Sequence, residues 1–232
     1  MKFINCTQGS PEWFATRAGV ITASMFSNAC DFLKPTKLDP DPFRPTQKNM
    51  DYAYKVAVER IFGQTTEDVY QTFEMRRGSE LEPMARIAYE AFTGNLAQES
   101  GVVLTDDNLF GYSTDGLVDD DGLIEIKCPN SARKIVEMHT TGDISEYEHQ
   151  IQGGLWITGR KWCHFIMYAP QLESIGKQLF VKRIDRNENF IEEMEAQLMH
   201  FAARVQQHVF TLNNAAAARV QQNVFTLNKA AA

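Results

Sequence analysis

The chain has 232 residues, 44% of them hydrophobic and 23% charged, with a formal net charge of −7. This is a globular composition, with no apolar run near the roughly 18 residues of a membrane span and no signal-peptide core in the stretch Met1 to Trp13, so a cytoplasmic protein is expected. The acidic balance argues against a basic coat that grips nucleic acid non-specifically, but not against an enzyme whose own site is built from carboxylates.

The first helix is expected over residues 10–18, with Ser10 as N-cap, Pro11 at the first position and Gly19 as the stop. A second short helix should begin near Thr22 or Ser24. Four prolines between residues 34 and 48 predict a surface loop. Met50, Ala53, Tyr54, Ala57 and Ile61 then follow helical spacing up to Gly63. The next helix is expected over 79–92, stopped by Gly94-Asn95. After it the period changes to that of strands at 102–105, 109–113, 123–127, 162–168 and 178–184. Helical stretches at about 131–138 and 145–157 separate the third and fourth strands, and a helix from about 187 to 209 follows the last one.

Cys6, Cys30, Cys128 and Cys163 form no C-x-x-C pair, and no histidine stands at zinc-finger spacing from them. Reduced thiols are expected. The tail holds a direct repeat: residues 203–217 recur as 218–232 with changes only at His208/Asn223 and Asn214/Lys229. Two copies are too few for a solenoid, and a local duplication with no attached function is expected.

The chemistry lies in GYSTDGLVDDDGLIEIKCP, residues 111–129. Asp115 ends one extended segment, Asp119 to Gly122 has hairpin-turn chemistry, and LIEIK returns as a strand. Alternation puts Leu123, Glu125 and Lys127 on one face and Ile124 and Ile126 on the other. Glu125 and Lys127 then point together, beside Asp115 across the hairpin. Two adjacent carboxylates repel unless a divalent cation lies between them, and hard oxygens select magnesium or manganese. Such an ion can neutralise a phosphodiester and acidify water, while the lysine orients or deprotonates that water. The same spacing also suits a solvated hairpin with a cross-strand Asp–Lys pair, and these residues alone leave both readings open.

The pattern resembles the PD-(D/E)xK nuclease motif, and the chain more closely resembles the phage lambda exonuclease family. The resemblance rests on residues 13–24 (WFATRAGVITAS), 77–82 (RGSELE), 112–117 (YSTDGL), 123–129 (LIEIKCP) and 147–158 (YEHQIQGGLWIT), in the family's order. It covers about residues 10–185. Thr114 departs from the family's frequent proline, at a position that shapes a turn.

The resemblance implies an α/β fold in which a central mixed β-sheet flanked by helices forms a restriction-endonuclease-like core, with one nuclease domain over 1–202 and the repeated tail over 203–232. It implies metal ligation by Asp115, Glu125 and the Ile126 carbonyl, with Lys127 as catalytic lysine and Glu82 acting through the coordination shell. Arg17, Ser24, Ser113 and Gln150 would hold a terminal 5′-phosphate. Two magnesium ions, replaceable by manganese, are implied. So are double-stranded DNA ends as substrate, a homotrimeric ring, a single-strand annealing protein as partner, and a phage or prophage protein at work in a bacterial host. No G-x-x-x-x-G-K-[ST] loop occurs, so no ATP is needed.

Several of these residues also have ordinary structural readings. Ser79 and Glu82 have the spacing of a capping box. Ser24 could cap a helix, Gln150 could be an exposed polar position, and Arg17 could simply complement a helix C-terminus. Trp13 and Trp156 are expected to pack rather than stack on bases. Another nuclease of the superfamily, such as a restriction-type endonuclease, and a DNA-binding module without activity are the competing functions.

Overall fold

The computed structural model describes residues 1–66 and 73–230, with backbone only for 73–75 and 216–230. In chain order it contains β1 (Lys2–Ile4), α1 (Pro11–Arg17), β2 (Ile21–Thr22), a 3-10 turn (Ala23–Met25) leading into α2 (Phe26–Ala29), and α3 (Gln47–Phe62). Then come α4 (Phe73–Thr93), β3 (Ala97–Gln98), β4 (Val102–Leu104), β5 (Phe110–Ser113), β6 (Gly116–Val118) and β7 (Gly122–Lys127). The remainder is α5 (Ala132–Thr141), α6 (Glu148–Thr158), β8 (Trp162–Tyr168), β9 (Leu179–Asp185) and α7 (Glu188–Ala230).

Local signals account for many boundaries. Ser10 caps α1 by accepting from the Trp13 N–H. Thr46 caps α3, and Gly63 ends it in the left-handed conformation, φ 73°, where a side chain would be strained. Helix α4 departs from the expectation. It starts at Phe73 and contains Pro83 in its interior, so Ser79 is no N-cap and the capping-box reading of Glu82 fails. Proline at 83 removes only the N–H that would have reached the carbonyl of residue 79. The helix survives because its next turns carry the buried Ala85 and Tyr89.

The expected mixed sheet flanked by helices is present, accompanied by a second, smaller sheet. A four-stranded sheet has the order β1-β4-β5-β2, and a five-stranded mixed sheet has the order β3-β6-β7-β8-β9. In the five-stranded sheet, β7 and β8 are parallel, from Gly122↔Trp162 to Lys127↔Met167, while β6–β7 and β8–β9 are antiparallel. The chain crosses between sheets at Thr114-Asp115, between β5 and β6. Thr114 shapes this crossing: its Oγ1 accepts from the Gly116 N–H and donates to the Gly116 carbonyl.

Both faces of β7 are covered. Ile124 and Ile126 join Ala85, Tyr89, Trp162 and Ile166 on the α4 side. Leu123 lies in the larger core with Phe165, Leu155 of α6 and Phe201 of α7. Sequence alternation assigned the strand's faces correctly, yet the face carrying Glu125 is also interior. Helix α7 runs against α3, with Phe201 stacked on Tyr52 and Arg204 donating to Asn49 Oδ1 and the Phe43 carbonyl. It does not end near 209 but continues through the repeat to Ala230. All four cysteines are free thiols. Among the described residues no helix is long and apolar enough to cross a membrane.

Candidate active site

The crossing at Asp115 and the end of β7 create the site. Glycine 116 pairs with Ile124, which brings Asp115 beside Glu125 at the next step. Asp115 Oδ2 accepts the Ile126 N–H at 2.6 Å. Glu125 is 1% exposed, so the solvated-hairpin reading is excluded. A buried carboxylate must be bonded, and this one is bonded on both oxygens. Its Oε2 accepts from the Tyr112 hydroxyl at 2.9 Å. Its Oε1 accepts from Lys127 Nζ at 2.7 Å and Gln150 Nε2 at 2.6 Å. Lys127 Nζ also donates to Gln150 Oε1 at 3.1 Å, and it lies 5.5 Å from the centre of the Tyr147 ring.

Glu82 projects from α4 into the same cleft and pairs with Arg86 at 3.0 Å. Burial raises its pKa, against the pull of Arg86, and Glu125 adds to the rise. Asp115 is pushed well above the usual carboxylate range, first by burial, then by the Glu125 and Glu82 charges. Burial alone would lower Lys127, but the Glu125 and Asp115 carboxylates outweigh it and raise its pKa. Both carboxylates thus favour its ammonium form. Tyr112 is held protonated by burial and by the Glu125 charge.

Beyond the carboxylates, Trp13 Nε1 and Arg17 Nη1 both donate to Ser113 Oγ, at 3.0 and 3.1 Å. The Arg17 guanidinium lies 4.1 Å from the centre of the Trp13 ring. Ser24 sits in the 3-10 turn, its Oγ 3.3 Å from Thr22 Oγ1. Arg17, Ser24, Ser113 and Gln150 all line one cleft of about 580 Å³ with Glu82, Asp115, Glu125, Ile126 and Lys127. Within it, Gln150 touches the Lys127–Glu125 pair, while Arg17 and Ser113 touch each other.

Sequence reasoning missed Tyr112, Tyr147 and the polar role of Trp13. Tyr112 gave no signal, because a tyrosine in a strand reads as core. Arg77, the first residue of the RGSELE segment, donates from Nη1 to the Cys128 carbonyl at 2.8 Å and holds the chain just after Lys127.

The donor set suits a hard divalent cation. Among the described residues no three His, Cys, Asp or Glu side chains are arranged to hold an ion by themselves. Magnesium, however, is commonly held by one or two carboxylates together with water and substrate phosphate. Asp115 and Glu125, with the Ile126 carbonyl nearby, match that requirement, and a cation would relieve both the burial of charge and the carboxylate repulsion that lift Asp115.

A mixed sheet flanked by helices, with Asp115, Glu125 and Lys127 lining one cleft, gives the class: a nuclease fold. The YqaJ-like viral recombinase domain matches residues 12–161, and the chain belongs to that family. Among solved structures, the alkaline exonuclease LHK-Exo from Laribacter hongkongensis is 34% identical, with 90% of this chain and 99% of that one covered and a TM-score of 0.77. LHK-Exo in complex with dAMP matches over the same shares with a TM-score of 0.78. A phage-related exonuclease from Haemophilus somnus 129PT is 14% identical, covering 83% of this chain and 96% of its own with a TM-score of 0.69, and shows the shared fold. A comparison with curated proteins found no match.

Proposed function

We propose that this protein is a magnesium-dependent, ATP-independent 5′→3′ exonuclease that degrades one strand of linear double-stranded DNA. Its products would be 5′-mononucleotides and a 3′ single-stranded tail for recombination by strand annealing. The observation that carries this reading is a buried Glu125 held between Lys127 and Gln150, with Asp115 beside it and Arg17 in the same cleft. The likeness to LHK-Exo, whose structure with dAMP includes a nucleotide, supports a DNA substrate.

In this reading Asp115, Glu125 and the Ile126 carbonyl hold magnesium or manganese, two ions in all, and Glu82 acts through the coordination shell. When bound, the metal supplies charge neutralisation at the phosphate and a more acidic water. Lys127 Nζ holds its proton against Glu125 and orients the water; it can accept a proton only once the Glu125 charge is otherwise engaged. Gln150 keeps the lysine and the carboxylate together. Arg17, with Ser113 and Ser24, receives the terminal phosphate.

A homotrimeric ring around duplex DNA, a single-strand annealing partner and work in the bacterial cytoplasm belong to the same proposal. The test is a nuclease assay on linear and closed-circular duplex in magnesium. Loss of the linear form alone supports an exonuclease, cleavage of circles points to a restriction-type endonuclease, and no cleavage of either leaves a DNA-binding module. Sedimentation under assay conditions tests the ring, and a stable monomer counts against it.

A further inference from the structure

Tyr112 belongs to β5 of the four-stranded sheet, yet its hydroxyl reaches Glu125 on β7 of the five-stranded sheet. The bond spans the two sheets and is buried. The ring has room because α6 carries Gly154 where it passes over β5. A Cβ on Gly154 would come within 2.7 Å of Tyr112 Cζ, and one on Gly153 within 2.5 Å of Phe26 Cδ2. Contacts at that distance force a shift, and here the atom met belongs to a rigid aromatic ring in a packed interior.

One helical turn before Gly154, the same helix presents Gln150 to the other oxygen of Glu125. Helix α6 thus governs both ends of this carboxylate, Oε1 through a direct bond and Oε2 through the slot that admits the tyrosine. A carboxylate offers about four acceptor directions. Lys127, Gln150 and Tyr112 engage three of them, and only Tyr112 binds Oε2 in the contacts described. Without it the carboxylate has one tethered oxygen and can turn about its terminal torsion, which is broad for glutamate.

We propose that Tyr112 is a positioning residue, held in a slot made by Gly154, that fixes the plane of the Glu125 carboxylate for metal binding and catalysis. This rests on the reading of Glu125 as a metal ligand. Partners that orient a ligating carboxylate typically change metal affinity or activity by ~10–100-fold when removed.

The experiment compares the full chain with Tyr112→Phe, Gly154→Ala, the double variant and Glu125→Gln. Manganese binding is measured by calorimetry without DNA, and kcat and KM are measured on linear duplex. Tyr112→Phe keeps the ring and its packing, so it should weaken manganese binding by about tenfold or more and lower kcat at unchanged KM for DNA. Gly154→Ala should act in the same direction. The double variant should bind manganese about as Tyr112→Phe alone does, because the pushed ring then has no hydroxyl to displace. If Gly154→Ala fails to fold, the Tyr112→Phe measurement decides by itself. Wild-type manganese affinity and kcat in Tyr112→Phe, with binding weakened in Glu125→Gln, overturn the positioning role alone. Unchanged manganese binding in Glu125→Gln overturns the ligand assignment and this inference with it.

Discussion

Gln150 bonds to both members of the Lys127–Glu125 pair, its Nε2 donating to Glu125 Oε1 at 2.6 Å and its Oε1 accepting from Lys127 Nζ at 3.1 Å. In the proposed function a glutamine in that position would hold the geometry of the reacting groups as well as line the pocket for a terminal phosphate. Gln150→Ala is therefore expected to lower kcat on 5′-phosphorylated and 5′-hydroxyl duplex by similar factors. Hydrogen bonds to charged groups are worth ~1.5–3 kcal/mol, and ~1.4 kcal/mol is tenfold in rate, so the loss should be about 10–100-fold. Initial rates on the two substrates check this. A loss confined to phosphorylated ends would restrict Gln150 to end recognition.

The sequence made β7 legible because its candidate site residues follow a period of two and it ends on a lysine. It did not reveal that Glu125 would be buried, since burial depends on α6 and β5 arriving from distant segments. The start of α4 was misread because Ser79, Glu82 and Pro83 imitate a helix N-terminus locally, while the turns before them belong to the same helix. The division into two sheets hinges on a two-residue crossing at Thr114-Asp115, and no propensity marks it. The repeat was legible as a repeat, but its continuation of α7 was not, because a duplicated segment carries no boundary signal of its own.

Asp115→Asn and Glu125→Gln are expected to abolish cleavage in magnesium while leaving the protein folded. Removing one metal-bound position can cost several kcal/mol of transition-state stabilisation, or several powers of ten in rate. Asparagine at 115 can still accept the Ile126 N–H through its amide oxygen, and it removes a charge crowded by Glu125 and Glu82. In metal-free buffer the melting temperature of Asp115→Asn should equal or exceed that of wild type. Near-normal activity in either variant defeats the site assignment. Calcium should support DNA binding without turnover, because its longer and looser coordination misplaces the reacting groups.

Acid should destabilise the fold through His164. Tyr89 OH lies 2.8 Å from His164 Nδ1, and Asn95 Nδ2 donates to the same hydroxyl, so the tyrosine is free to donate to a neutral imidazole. Burial, aided by Arg183, holds the His164 pKa below its ordinary 6.5. Below that value the unfolded chain binds the proton more readily, so stability rises with pH in this window and is lost as pH falls from 6.5 through the folded-state pKa. Melting temperatures measured from pH 7.5 to 5 should fall, and less steeply for His164→Gln, which retains an acceptor for Tyr89 but does not titrate. An identical slope in the variant removes His164 as a source of the acid sensitivity.

Choice of the DNA end is expected to rest on Arg17. Its guanidinium lies against the Trp13 ring and donates to Ser113 Oγ, which also accepts from Trp13 Nε1. Three side chains thus hold one another in place, in the same cleft as Asp115 and Glu125. An oriented guanidinium can pair with two phosphate oxygens at once. A terminal phosphate carries more negative charge than an internal diester and has an additional free oxygen, so it gains more from such a group. Each cut would expose a new 5′-phosphate and draw the shortened strand forward. Duplex with 5′-hydroxyl ends should therefore be degraded much more slowly than 5′-phosphorylated duplex. Arg17→Ala should erase most of that difference while leaving manganese binding intact. Arg17→Lys should restore only part of it, because a lysine keeps the charge but lacks the planar fork. Equal wild-type rates on the two ends would sink the pocket. A preference that survives unchanged in Arg17→Ala would transfer the contact to another basic residue, with Lys134 on the rim of the same cleft the first to replace.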